Sequence, residues 1–331
     1  MEKRRFGRTD LDVSRLTFGC GAVGGLMTAG SPADQDRAVA WARDNGINHF
    51  DTAASYGNGA SEENLGRALG GNRDGVIVST KVGLTKDHQS DVAGAIRASL
   101  DASLARLKQD HVDIFQLHNT LGDPDGDRNM TAHQVIEEVV PAFRKLRDEG
   151  KLRFLGFTAN GDTDALHALI ESDCFDSAQI FFNALVPSAG ETVAAGYPAQ
   201  DYRQLLKVAE RHGVGSIGVR VLAGGALSGS ETRHPLGMRV VDPIGSDTDY
   251  AIDVRRTLRF EPVVAAGHAT SLPELAIRFA ISNPTLSTTE IGIATLDELQ
   301  EAADAVNKGP LPDEALATIK DIQNGFAAER S

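Results

Sequence analysis

Cysteine is nearly absent from this chain, with only Cys20 and Cys174 among 331 residues. Two such thiols make neither a disulfide framework nor a metal-ligand spacing, and they read as reduced thiols of a cytoplasmic protein. Positive charge is also scarce. Lys and Arg number 33 against 46 Asp and Glu, a formal net charge of −13, and no Lys/Arg-rich block occurs. Such a surface repels the phosphates of nucleic acid and an anionic membrane face, so neither is expected as a partner. No apolar run approaches the roughly 20 residues that a membrane span needs. The opening residues, Met1 to Arg8, are charged and lack the apolar stretch of a signal peptide.

What is present is a rhythm. Arg15 to Phe18 reads as a short strand and runs into Gly19-Cys20-Gly21-Ala22-Val23-Gly24-Gly25. Gly19, Gly21 and Gly24 match the dinucleotide fingerprint G-x-G-x-x-G, which requires a helix to open on the third glycine. Here Gly25, Gly30 and Pro32 follow, and a helix is expected only from about Ala33. These glycines are therefore read as turns or as places where a ligand approaches the backbone.

From there strands and helices alternate: helix Pro32–Asn45, strand Ile47–Asp51, helix Ser61–Leu69, strand Val76–Thr80, helix Asp91–Leu107, strand Val112–Leu117, helix Val135–Arg147, strand Phe154–Thr158 and helix Asp162–Ile170. Strand Ala178–Phe182, helix Tyr202–Arg211, strand Ser216–Leu222, helix Leu272–Ile281, strand Thr289–Ile293 and helix Thr295–Val306 complete eight units, and Pro312–Phe326 adds one more helix. Strands that are apolar on both faces indicate a parallel sheet covered by helices. Eight repeats over this length predict an α/β fold, a single (β/α)8 TIM barrel domain spanning 1–331. Two connections, Asn119 to Gln134 and Ala223 to Thr270, are long, and loops of that length are functional lids or disordered.

Asp51, Lys81 and His118 fall at the tips of the second, third and fourth strands, and Tyr56 lies on the loop after the second. Adjacent strands bring such groups together. A lysine beside a phenol is expected to lower its pKa from about 10, a carboxylate holds the lysine charged, and a histidine orients a carbonyl oxygen. That set can protonate an alkoxide as it forms, or run in reverse. A metal-dependent barrel hydrolase would need more His, Asp and Glu ligands than converge here. Asp123 to Asp127 lacks the glycine and terminal glutamate of a calcium loop at their required places.

The sequence resembles the aldo-keto reductase family along nearly its whole length. Arg5 to Thr9 with Asp12 to Leu16 is similar to the family's N-terminal hairpin, and Phe50-Asp51-Thr52-Ala53 with Tyr56-Gly57 and Ser61-Glu62 to its signature. Ser103 to Leu107, Val112 to His118, Gly150 to Thr158 and Gln179 to Asn183 follow in order. The resemblance implies an enzyme moving hydride between a nicotinamide, NAD or NADP, and a small-molecule carbonyl or alcohol. It implies Tyr56 as general acid/base, Lys81 as its partner, Asp51 positioning Lys81, and His118 orienting the substrate oxygen. Gly19, Cys20, Gly21 and Asp51 would lie along the cofactor, with Thr158 and Gln179 on the carboxamide. Arg220, Leu222 and Gly225, then Gly292, Ala294 and Glu298, would complete its site.

Three departures stand out. Thr158-Ala159 replaces the usual Ser-Asn, with Asn160 one place later. Val219 and Arg220 stand where an aromatic often stacks on the nicotinamide; Arg220 either stacks, meets an acidic substrate, or forms a salt bridge within the barrel. Ala294 replaces an arginine of the adenosine 2′-phosphate site, with Asp297, Glu298 and Glu301 nearby. The last favours NAD(H) over NADP(H), since a carboxylate suits a free ribose hydroxyl; alternatively these acids only favour a helix N-terminus. A NADPH-dependent aldehyde or ketone reductase is the alternative enzyme, and a non-catalytic regulatory barrel is a further reading that the complete tetrad opposes. The sequence fixes neither the substrate nor the oligomeric state.

Overall fold

A computed structural model describes residues 1–242, 246 and 249–327. Eight parallel strands close into a barrel in chain order: β1 (Leu16–Gly19), β2 (His49–Asp51), β3 (Ile77–Val82), β4 (Val112–Leu117), β5 (Leu152–Ala159), β6 (Ser177–Phe181), β7 (Gly215–Val219) and β8 (Thr288–Gly292), with β8 paired to β1. Around it lie α1 (Pro32–Asp44), α2 (Ala60–Leu69), α3 (Val92–Leu107), α4 (Val140–Asp148), α5 (Thr163–Glu171), α6 (Leu205–Arg211), α7 (Leu272–Ser282) and α8 (Leu296–Asn307). The expected extra helix spans Asp313–Ala327.

Local chemistry starts these helices where the sequence places their caps. Ser31 accepts from Asp34 N ahead of Pro32, Asp91 from Gly94 N, Ser271 from Glu274 N, and Thr295 from Glu298 N, each satisfying an otherwise orphan donor. In α3, Ile96, Leu100, Leu104 and Leu107 recur at helical spacing and are buried against the sheet.

Several expectations need correction. The Gly-rich segment after β1 is not all loop: Leu26–Ala29 makes one helical turn before α1, because Leu26 and Met27 are buried there. The helix expected at Val135–Arg147 starts at Ala132 and contains a wide π turn, Val135–Val139, ahead of α4. Pro141 has no N–H to continue the ladder, and the helix widens just before it. The two long connections are largely ordered. In the first, Thr120–Leu121 pairs with Asn129–Met130, and Asn119 bonds Leu84 N, Leu84 O and Arg128 O at 2.8 Å each. The second holds a 3-10 segment, Ala223–Ser228, and helices Tyr250–Leu258 and Glu261–Ala265; Pro243 to Gly245, Asp247 and Thr248 lie outside the described residues.

The barrel is stoppered at its N-terminal mouth. Lys3–Arg5 pairs antiparallel with Asp12–Ser14, and the hairpin sends Phe6, Leu11 and Val13 against Ile77, Ile114 and Ile217. Phe6 is fully buried. Gly7 sits at φ +53, and a Cβ there would stand 2.3 Å from Gly215 N, so the hairpin can approach β7 only with glycine at that position.

Candidate active site

Above the stopper the barrel interior turns polar in steps. His49 shares hydrogen bonds with Thr17 Oγ1 and Ser79 Oγ at 2.9 Å each, and burial lowers its pKa to about 4, so it stays neutral. Ser79 Oγ donates to Asp51 Oδ1 at 2.6 Å, and Gln116 Nε2 donates to the same oxygen at 2.9 Å. Asp51 is thus fixed from two neighbouring strands before it meets its charge partner.

That partner is Lys81. Its ammonium donates to Asp51 Oδ2, to Thr52 O at 2.8 Å and to Tyr56 Oη at 3.2 Å. Both charged side chains are wholly buried. Burial alone would strip Lys81 of its proton, but Asp51 reverses the effect and holds the ammonium charged well above its ordinary range. His118, on the next strand end, meets the Tyr56 ring edge-on with centroids 6.0 Å apart. Burial, then Lys81 and Arg128, push its pKa down to about 3, so a neutral imidazole faces the phenol. The three residues expected at strand tips and Tyr56 on its loop therefore converge.

The expected lowering of the Tyr56 pKa does not occur. Burial pushes the phenol up to about 12, against the pull of Lys81. The reason is desolvation: burial costs the phenolate more than the charge and hydrogen bond of Lys81 return, and Asp51 adds to that cost.

Tyr56 and His118 open onto a cavity of about 1090 Å³. Of the residues expected along a cofactor, Gly21, Thr158, Gln179, Arg220, Leu222, Gly225, Gly292, Ala294 and Glu298 line it. Gly19, Cys20 and Asp51 do not. The Cys20 side chain is fully buried, with burial and Asp51 raising its thiol pKa; its N–H is taken by Asp51 O at 2.8 Å. The loop after β7 crosses the cavity to meet the loop after β1, where Met238 N donates to Ala22 O at 3.0 Å.

Thr158 Oγ1 donates to Gln179 Oε1 at 3.0 Å, and Gln179 Nε2 donates to Glu290 Oε2 at 2.7 Å. Asn160 also lines the cavity and donates to Thr120 Oγ1 at 3.2 Å. Glu298 reaches back to accept from Ala294 N at 2.7 Å, so this carboxylate does serve its helix N-terminus. Sequence reasoning missed Glu290. It lines the cavity from β8, and burial together with Asp51 raises its carboxyl pKa far above the usual range. Its signal was a carboxylate amid Thr and Ile in a parallel strand, where charge is rarely placed unpaired.

A parallel barrel with ionisable groups gathered at the C-terminal ends of its strands has the layout of a barrel enzyme. The sequence profile of the Aldo/keto reductase family matches residues 15–324. The chain belongs to that family and is an NAD(P)(H)-dependent oxidoreductase. It is 29% identical to L-galactose dehydrogenase of Arabidopsis thaliana, over 93% of this chain and 89% of that protein. It is 27% identical to NADH-specific methylglyoxal reductase of Escherichia coli, over 93% and 94%, and 27% identical to a probable voltage-gated potassium channel subunit beta of Arabidopsis thaliana, over 94% and 93%. Among solved structures, an aldo-keto reductase from Bacillus halodurans superposes with a TM-score of 0.71, at 24% identity, over 97% of this chain and 96% of that one; at that identity the likeness speaks for the fold.

Proposed function

We propose that this chain interconverts a carbonyl and an alcohol with Tyr56 as general acid/base, in the manner of an NAD-dependent aldose or secondary-alcohol dehydrogenase. The observation that carries this reading is the Lys81 ammonium, bridging Asp51 and Tyr56 Oη at 3.2 Å beneath the cavity. A cavity of about 1090 Å³ exceeds the usual range for one small ligand, roughly 300–1,000 Å³, and suits a dinucleotide together with a substrate. When bound, the nicotinamide supplies or accepts the hydride. Gln179 and Thr158 hold its carboxamide edge, and Gly21 and Gly292 allow it close to the backbone.

Tyr56, protonated at neutral pH, donates its proton to the oxygen of a reducing carbonyl, and Lys81 stabilises the phenolate left behind. In the oxidising direction the same pair accepts the alcohol proton. His118, neutral, orients the substrate oxygen. The complete set of four is an argument for catalysis over a non-catalytic regulatory barrel.

The adenosine end of the cavity favours NAD(H). Glu298, Glu301, Asp304 and Glu274 line it, and its one lysine, Lys308, is tied to Glu274 Oε2 at 2.7 Å. An added 2′-phosphate would meet carboxylates there. The relative named as an NADH-specific methylglyoxal reductase agrees with that preference. Steady-state kcat/KM with NADH and NADPH, over a panel of sugars, aldehydes and ketones in both directions, tests it. The expected result is a preference for NAD(H) of about tenfold or more; an equal preference for NADPH would overturn the assignment.

A further inference from the structure

The cavity holds two arginines whose charges the fold does not use. Several arginines elsewhere are paired with carboxylates, while buried Arg15 bonds only the carbonyls of Leu286 and Ile281. Arg73 and Arg153 share Asp113, Arg106 binds Glu62, and Arg278 binds Glu274. Arg220 and Arg128 line the cavity, and neither has a carboxylate within ion-pair distance among the described residues. Arg220 Nη1 donates only to Asp242 O at 3.1 Å, and Arg128 Nη2 only to His118 O at 2.6 Å. A salt bridge within the barrel, one of the three readings open for Arg220, is therefore not what holds it.

The backbone at Arg220 shows that the placement is imposed. Arg220 is at φ +57, in the left-handed region, which a side-chain-bearing residue enters at a cost. Two hydrogen bonds to its carbonyl keep it there: Asn183 Nδ2 at 2.9 Å and Ala223 N at 2.7 Å. The turn leaves the half-buried guanidinium on the Tyr56 side of the cavity, where burial lowers its pKa and the Asp242 carboxylate, beyond ion-pair distance, partly offsets this. Arg128 comes from the opposite wall, over Gly83 and against the His118 backbone. The two cations thus flank the acid/base residue and the imidazole facing it. Arg233, by contrast, is engaged by Met238 O and Gly224 O and stacks on Tyr250.

We propose that Arg220 and Arg128 receive an anionic group on the substrate, so that this enzyme acts on carbonyl or hydroxy compounds bearing a carboxylate. The inference rests on the hydride-transfer reading of the same cavity. A carboxylate satisfies the fork of free N–H donors that each guanidinium presents. In a chain of net charge −13, two cations in one cleft with no carboxylate at ion-pair distance among the described residues also focus the local potential for an anion. The anchor fixes one end of the substrate while Tyr56 and His118 hold the reacting oxygen.

The test uses the full chain with saturating cofactor and matched substrates: butanal against 4-oxobutanoate, and glyceraldehyde against glyceraldehyde 3-phosphate. The expected result is a kcat/KM for 4-oxobutanoate at least about tenfold above that for butanal, expressed in KM and falling as salt is raised. A preference confined to the phosphate pair would overturn the choice of a carboxylate. In Arg220→Gln and in Arg128→Gln the anion-to-neutral ratio should fall about tenfold, and Arg220→Lys should restore part of it. Because each ratio is taken within one variant, partial loss of folded protein cancels. Turnover of butanal with no preference for 4-oxobutanoate would overturn the anion site and leave hydride transfer standing. No turnover of any pair would overturn the hydride-transfer reading instead, and this inference with it.

Discussion

Two buried carboxylates on nearby strands, Asp113 on β4 and Asp51 on β2, meet cations in opposite ways. Asp113 is saturated. Its Oδ2 accepts from Arg73 at 2.5 Å and Val78 N at 2.9 Å, and its Oδ1 from Arg153 at 2.8 Å. Arg153 in turn reaches Asp10 of the hairpin region. Every donor and acceptor closes on another part of the scaffold, near the mouth that Phe6 stoppers. Asp51 is held just as firmly by Ser79 and Gln116, but its cation is not closed off. Lys81 spends its third donor on Tyr56 Oη, and the phenol faces a cavity. A saturated ion network ties strands together, whereas a network with one member turned towards a cavity can pass a proton to something that enters.

Lys81→Ala should break that contrast most severely. It leaves Asp51 charged and unpaired in the barrel, a loss of about 3–5 kcal/mol of stability, and it removes the partner of Tyr56. Chemical denaturation and steady-state turnover measured on one preparation should both collapse; retained turnover would separate Lys81 from the chemistry.

Phe6→Ala probes the opposite mouth. Emptying the stopper should cost about 3–5 kcal/mol while leaving kcat at 25 °C within about twofold, because Phe6 reaches Asp51 only indirectly, through His49 and Ser79. A kcat that fell with stability would show that the two mouths are coupled.

The smallest effect belongs to Glu290→Gln and separates by pH. In the fold Glu290 keeps its proton where an unfolded glutamate has released it. Its contribution is therefore fully present below the unfolded pKa and is lost as pH rises through the raised folded value. The amide cannot ionise, so the variant's unfolding midpoint should gain on the parent's as pH rises from 4 to 8. A gain that stayed flat with pH would mean that Glu290 is ionised in the fold.

The barrel was legible because strand–helix alternation with apolar runs and N-terminal caps is written locally. The tips carrying Asp51, Lys81 and His118 followed from it, since a strand's end is fixed by where its apolar run stops. The turn at Leu26–Ala29, the widened helix before Pro141 and the helices within 223–270 were not, because burial against distant segments decides them. Gly19 and Cys20 looked like cavity wall, yet the chain turns at Gly21 and only from there faces the opening. The Tyr56 pKa was misjudged for a similar reason. Proximity to Lys81 is visible in the pattern of strand tips, but the desolvation that outweighs it depends on the whole surrounding packing.

The most direct test of the account is Tyr56→Phe, with hydride transfer in a single turnover, cofactor affinity and the unfolding midpoint measured together. The account predicts transfer slowed by roughly 100- to 10,000-fold, with cofactor affinity and the midpoint close to the parent's. Transfer at an undiminished rate would contradict the role given to Tyr56 and, with it, the reading of the Asp51–Lys81 pair as anything more than a buried tie between strands.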